Sequence, residues 1–399
     1  VKALFLWFHK WLGLITGIVV FLVSITGCIY VFHDDLKVLF YPEKYYTEGK
    51  TNNHVPLPLH KLIAAAQAGL ETGESVSRVD IYPATGRTWT FRALKVDENA
   101  FGHWNYHVYN KRVFVDPYTG KIQAIENSKT EFFQLMLQLH MNLLLGKKVG
   151  HAVVAYSTVI FIVLVLTGLI LWWPKTWTKR NVKKSLQLDF KLKWKRINYD
   201  LHNVLGFYTM VFALIFAVTG LIFSFPKFKS FYTDTFNKIS VFNSKNEKPS
   251  VFPFVAQSGD NTLDNALFFA LQEYPDADMM SIRLRGPKEE FHDIQIRLKE
   301  GRSGVFRWYY FKQSDGQIST LKSSEGLALG DKLASVNYDI HVGSIGGWPT
   351  KILAFIFSLI CASLPVTGFL IWWYKHKKKE KKRSGKKQLS KKFKTAVAG

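Results

Sequence analysis

Four stretches of this chain, 11–32, 152–173, 204–225 and 352–373, run almost without charge. Each is about 20 residues long, the length an α-helix needs to cross roughly 30 Å of hydrocarbon. Hydrocarbon offers a backbone no partner but its own, so such stretches predict a membrane protein with four transmembrane helices. The first exceeds the usual ~7–15-residue apolar core of a cleavable signal peptide, and no small-residue cleavage site follows Gly27. It is read as a retained helix.

A net charge of +23 raises the question of nucleic acid, and the placement of the charge answers it. Segment 175–196 and the tail from Lys375, together with Lys2 and Lys10, hold 23 basic and 2 acidic residues. Nearly all the excess thus flanks the apolar stretches, while the connections 33–150 and 226–340 are close to neutral. Basic residues concentrate on the cytoplasmic side, so both termini and the loop between the second and third helices are expected inside, and the two large connections outside. Nucleic-acid binding is set aside. The basic face suits an acidic flavoprotein or the anionic lipids of the bilayer. The two cysteines, Cys28 and Cys361, lie in apolar stretches, which excludes a disulfide scaffold or a Cys-ligated metal site in the outer connections. The expected organisation is 3–33 first helix, 34–138 outer domain, 139–174 outer histidine segment and second helix, and 175–197 basic cytoplasmic loop. It continues with 198–226 third helix, 227–338 second outer domain, 339–374 histidine segment and fourth helix, and 375–399 basic tail.

The helices match in pairs. His9-Lys-Trp-Leu-Gly13 corresponds to His202-Asn-Val-Leu-Gly206, each followed by Thr-Gly, at Thr26-Gly27 and Thr219-Gly220. The second and fourth stretches share Thr167-Gly168 and Thr367-Gly368 before a Trp-Trp pair, and each follows a histidine, His140 or His341, with a glycine a few residues on. A parallel two-fold internal repeat results, whose axis along the membrane normal would bring equivalent residues together. Each outer connection carries a helical stretch, short β-type runs and a late strand–turn–strand, predicting two small α+β domains of one type.

Of twelve histidines, His9, His202, His140 and His341 occupy matched positions beside the apolar stretches. Imidazole near hydrocarbon is costly without a partner and marks a functional candidate. Two facing imidazoles hold a haem iron at both axial positions, which suits electron transfer. Pairing equivalents predicts one haem near the cytoplasmic side on His9 and His202 and one near the outer side on His140 and His341. Gly13 and Gly206, about one turn from their histidines, leave room for a flat macrocycle or for close helix packing. The outer pair requires a break in each helix, since His140 precedes Trp173 by 33 residues; Gly146 in one copy and Gly343, Gly346, Gly347 and Pro349 in the other supply it. His151 and His33 are alternative outer ligands. The Trp pairs read as an aromatic belt. His103, His107, Trp104, Tyr106 and Tyr109, with the 308–310 run, form an outer binding surface or fill the domain core.

Taken jointly, the His9-Lys-Trp-Leu-Gly, Leu-His140-Met-Asn-Leu-Leu-Leu-Gly, Asp200-Leu-His202-Asn-Val-Leu-Gly and Asp339-Ile-His341 segments and the Thr-Gly…Trp-Trp endings resemble the PepSY-associated transmembrane proteins over essentially the whole length. The resemblance implies that the outer domains are PepSY-like modules, a helix packed on an antiparallel sheet. Members of that family similar to ferric-siderophore reductases reside in the bacterial inner membrane and bind two haem b groups. They reduce periplasmic ferric siderophores to release ferrous iron. No nicotinamide or flavin fingerprint is present, so the electron donor is a separate cytoplasmic protein or membrane quinol. A PepSY-type regulatory protein without redox activity and a siderophore permease are the competing readings. The chain starts at Val1 directly before the first helix, and an initiating methionine or short leader is expected ahead of it.

Overall fold

The computed structural model describes residues 2–48, 55–239, 261–286 and 289–397, with side chains as far as Lys378. His54, given no role above, and the end of the basic tail lie outside the described residues. Four helices are long and apolar enough to cross a membrane: Lys2–Tyr30, Lys147–Trp172, Trp194–Ser224 and Trp348–Lys378. The chain forms two compact units, one of Val1–Cys28, Tyr156–Val218 and Phe355–Gly399, the other of Ile29–Ala155 and Thr219–Ala354.

The first unit is helical. Only 17–33% of each span is buried within the protein, and side chains such as Ile15, Ile18, Val163, Val211, Leu359 and Val366 point outward. Apolar surface on that scale has hydrocarbon as its natural solvent. Inside, the contacts are made by small residues, including Ala213, Ala217, Cys361 and Ala362, and the Ser358 hydroxyl donates to the Ser24 carbonyl at 2.8 Å. Small side chains let helices approach closely where no hydrophobic drive separates them from lipid.

The second unit is built on one eight-stranded antiparallel sheet in the order β4-β3-β2-β1-β5-β6-β7-β8. Its strands are β1 Arg78–Ile81, β2 Trp89–Val96, β3 His107–Val115, β4 Ile122–Asn127, β5 Met279–Arg283, β6 Phe291–Arg297, β7 Phe306–Lys312 and β8 Ile318–Ser323. Alternation sends Val79, Ile81, Phe91, Val113, Ile282, Ile294, Ile296 and Phe311 to one face, where helices Leu59–Ala68 and Thr262–Glu273 cover them. Two small α+β domains of one type were expected, each a helix on an antiparallel sheet. They are fused: β1 pairs with β5 from Arg78↔Arg283 to Ile81↔Met280, and their apolar residues form a single core. The pairing removes the free edge that each module would otherwise present to solvent.

The opposite face of the sheet is polar, and both ends of the sheet are tied to the segments that carry the outer histidines. In the β2–β3 connection, Gly102 and His103 donate their amides to Leu145 and Leu144. In the β6–β7 connection, Ser303 and Gly304 donate theirs to Asp339, at 2.9 and 3.0 Å, and Arg302 reaches the Ile345 carbonyl. The expected helix breaks are present. Helix Phe132–Asn142 is capped by Glu131, which accepts from the Phe133 and Gln134 amides, and ends in left-handed Leu143 and Leu144. A π-helical turn, Lys147–His151, then leads into the second span. In the other half Asn337–His341 ends at Gly343, whose φ of 76° and whose approach to the Thr350 carbonyl leave no room for a Cβ.

Candidate cofactor-binding histidine pairs

The structure brings the four matched histidines together as two pairs. His9 and His202 face each other in the helical unit, their ring centroids 6.2 Å apart. His140 and His341 face each other in the second unit at 6.0 Å. Metal–imidazole bonds of about 2 Å, plus about 1 Å from each nitrogen to its ring centre, place two axial imidazoles about 6 Å apart. Both gaps therefore accommodate one metal ion between the rings.

Threonines orient the rings of His9, His202 and His341. The Thr167 hydroxyl lies 3.0 Å from His9 Nδ1, Thr367 lies 3.0 Å from His202 Nδ1, and Thr219 lies 2.7 Å from His341 Nδ1. The hydroxyl protons of Thr167 and Thr367 are already committed to carbonyls one turn back, Val163 and Leu164 or Ser363 and Leu364. These oxygens therefore accept from the imidazoles, which fixes the proton on Nδ1 and leaves the Nε2 lone pair free. In the second unit, burial and then the neighbouring His140 push the His341 imidazole down to about 3, so it is neutral at physiological pH.

Two asparagines complete the second half's contribution. Asn198 donates to the Thr367 carbonyl at 3.1 Å, and Asn337 to the Thr219 carbonyl at 3.2 Å. Both are buried, and each stands four residues before its histidine. Each therefore grips the residue whose hydroxyl orients that histidine. His202 itself sits in a π-helical turn, Leu201–Leu205, a local widening that recurs at functional sites.

A family model described as PepSY-associated TM region matches residues 6–375. The chain belongs to that family. A comparison with curated proteins returns no match.

In this PepSY-associated chain the glycines that meet the imidazoles are Gly168 and Gly368. A Cβ there would stand 3.3 Å from His9 Cε1 and 3.1 Å from His202 Cε1. Gly13 and Gly206 face Leu164 and Leu364 at ordinary van der Waals distance, 3.7 and 3.8 Å. Helical geometry places Gly13 on the face of His9; which residue of the neighbouring helix meets the ring depends on how that helix is rotated, which spacing within one helix does not encode.

His33 has both ring nitrogens engaged, Nδ1 with the Tyr30 carbonyl and Nε2 with Asp34, and its ring stacks on Tyr30 at 3.7 Å. His151 ends the π-helical turn of the second span and is partly exposed. His103 and His107 are buried and bond main-chain carbonyls, of Lys129 and His103, which places them in the domain core and leaves Trp104 exposed. The residues that sequence reasoning passed over are the threonines and asparagines. The signal was present: Asn198-Tyr-Asp-Leu-His202 recurs as Asn337-Tyr-Asp-Ile-His341, and Thr-Gly recurs in every span.

Proposed function

We propose that this chain is a di-haem b oxidoreductase of the bacterial inner membrane, built as a two-fold parallel repeat. It would pass electrons from a cytoplasmic donor or quinol to a ferric siderophore in the periplasm, releasing iron as Fe(II). The observation that carries the reading is the geometry of the two imidazole pairs, each about one metal–bis-imidazole span apart, with threonines at Nδ1 of His9, His202 and His341.

His9 and His202 would hold one haem, and His140 and His341 the other. A haem held there by two histidines would supply one-electron chemistry at its iron. The chain's own residues do the rest. Thr167 and Thr367 would keep His9 and His202 in the ligating tautomer and Thr219 would orient His341, Asn198 and Asn337 would fix two of those threonines, and Gly168 and Gly368 would give the rings room. Each ferric chelate takes one electron, so a two-electron donor such as quinol reduces two chelates and releases two protons. The distribution of Lys and Arg supports termini and basic loop on the cytoplasmic side, where a donor protein or anionic lipid would meet them.

Absorbance of the purified protein tests this directly. Bis-histidine haem bands should sharpen with dithionite and reoxidise on adding a ferric siderophore. His9→Ala or His202→Ala should remove one haem equivalent and leave the other spectrum unchanged. Protein that stays colourless after expression with ample haem would refute the proposal and favour the regulatory reading.

A further inference from the structure

The polar face of the sheet carries an unusual row. Cross-strand register aligns Arg112 of β3, Arg92 of β2, Arg78 of β1 and Arg283 of β5 directly opposite one another. The row continues to Asp293 of β6 and Tyr310 of β7. Like charges opposite each other destabilise a sheet, and here four guanidinium groups stand side by side across the β1–β5 seam.

Two buried carboxylates organise the centre of the row without neutralising it. Asp80, 2% exposed, takes Arg92 at 2.6 Å, Arg78 at 3.2 Å and the Ser281 hydroxyl at 2.7 Å. Asp293, 1% exposed, takes Arg285 at 2.7 Å, the Trp308 indole N–H at 2.9 Å and Arg283 at 4.0 Å. Arg92, Arg78, Arg283 and Arg285 thus share two buried carboxylates, with Glu289 reaching Arg285 at 3.5 Å from the exposed rim, while Arg112 at the end of the row meets buried Glu126 at 3.5 Å. Arg78, Arg283 and Arg285 line an open pocket of about 500 Å³. Beside it lies an aromatic shelf: Trp308 and Tyr310 stack at 5.5 Å, with Arg283 and Lys322 both over the Trp308 ring. Lys322 is exposed and adds a further positive charge.

The row also reaches the helix that carries an outer histidine. At its β3 end the Arg112 guanidinium donates to Gln134 at 3.3 Å, on the helix that carries His140.

We propose that this arginine-and-aromatic face binds a polyanionic iron(III) chelate of the tris-catecholate class. Guanidinium forks pair with catecholate oxygens, and the Trp308–Tyr310 shelf offers a stacking partner for the catechol rings. The assignment rests on the reductase reading and narrows its substrate. A neutral or cationic trihydroxamate complex gains nothing from the excess positive charge.

The test uses gallium(III) complexes, which match iron(III) in size and charge but are not reduced, titrated calorimetrically into the full chain in nanodiscs of zwitterionic lipid. The gallium tris-catecholate should bind and the gallium trihydroxamate should bind at least about tenfold more weakly. Rising salt should weaken the former. Arg78→Gln and Arg283→Gln should each cost about tenfold in its affinity. In these variants Asp80 keeps Arg92 and Ser281, and Asp293 keeps Arg285 and Trp308, so an unchanged unfolding midpoint is expected and is checked alongside. Equal binding of the two complexes, or variants of wild-type affinity, would overturn the proposal. Because gallium binding needs neither haem nor electrons, the two readings fail separately. Colourless protein that still binds the tris-catecholate would sink the reductase alone; haem-loaded protein with no charge preference would sink this assignment alone.

Discussion

Replacing Thr367 by valine keeps the shape of the side chain and removes one oxygen, which isolates what that oxygen does. In the native protein it accepts from His202 Nδ1 at 3.0 Å while its proton goes to the Ser363 and Leu364 carbonyls. Without it two outcomes are open to the imidazole. Keeping its proton on Nδ1 leaves a buried donor unsatisfied, at about 1–3 kcal/mol. Moving the proton to Nε2 removes the lone pair from the gap shared with His9. Either route lowers the ligating form, and loss of such a partner typically costs about 10–100-fold in metal affinity, the equivalent of about 1.4–2.7 kcal/mol. Haem content by pyridine haemochrome, the rate of haem transfer to excess apomyoglobin, and the low-spin EPR signal would read the effect without any turnover assay. The expected result is faster loss of one haem and a shift in one of two EPR signals. Thr16→Val is the control, since the Thr16 hydroxyl makes the same bond one turn back, to the Leu12 carbonyl at 2.8 Å. Wild-type haem retention and EPR in Thr367→Val, or equal losses in Thr16→Val, would refute the positioning role.

Gly368→Ala should lower haem content at the His9–His202 pair, because its Cβ would press on His202 Cε1 from 3.1 Å, whereas Gly206→Ala, 3.8 Å from Leu364, should retain it; pyridine haemochrome measurements on the two variants decide. Burial pushes the His107 imidazole down to about 4, below its unfolded value near 6.5. The unfolded state therefore binds the extra proton between those values, so stability should be complete above about pH 6.5 and fall as pH drops towards 4; a His107→Phe variant should show a flatter unfolding midpoint across that window. Residues 1–190 expressed alone should give no bis-histidine spectrum, while co-expression with residues 191–399 should restore it; a bis-histidine spectrum from the first fragment alone would contradict the pairing.

The spans were legible because twenty uncharged residues have few alternatives, and the histidine partners because two sequence halves set the same residue at the same spacing. The β1–β5 seam was not. Strand pairing between Arg78–Ile81 and Met279–Arg283 joins residues about 200 positions apart, and alternation within each strand says which face is apolar but not which edge finds a partner. The arginine row was hidden for the same reason, since Arg92, Arg78 and Arg283 become neighbours only once register is set. Thr167 and Thr367 were visible as repeated Thr-Gly pairs, yet the histidines they hold are 158 and 165 positions away. Their role depends on helix rotation, a property of packing rather than of local periodicity.

Those non-local contacts share one consequence. His9 comes from the first half of the sequence and His202 from the second; His140 and His341 divide in the same way. Thr167 belongs to the half that supplies His9, and Thr367 to the half that supplies His202, so each half orients its own ring and lends it to a site it does not complete. The sheet repeats the pattern, with Arg78 and Asp80 of one half meeting Arg283 and Ser281 of the other. Ring orientation is thus settled within a half, by short hydrogen bonds to a rigid helix, while ring separation is settled between halves, by packing. A substitution at a threonine should change how well one imidazole ligates, and a substitution at the contact between halves should change the span between two. If the pairs hold haem as proposed, the first kind should show in the spectrum of a single haem and the second in the loss of that haem altogether.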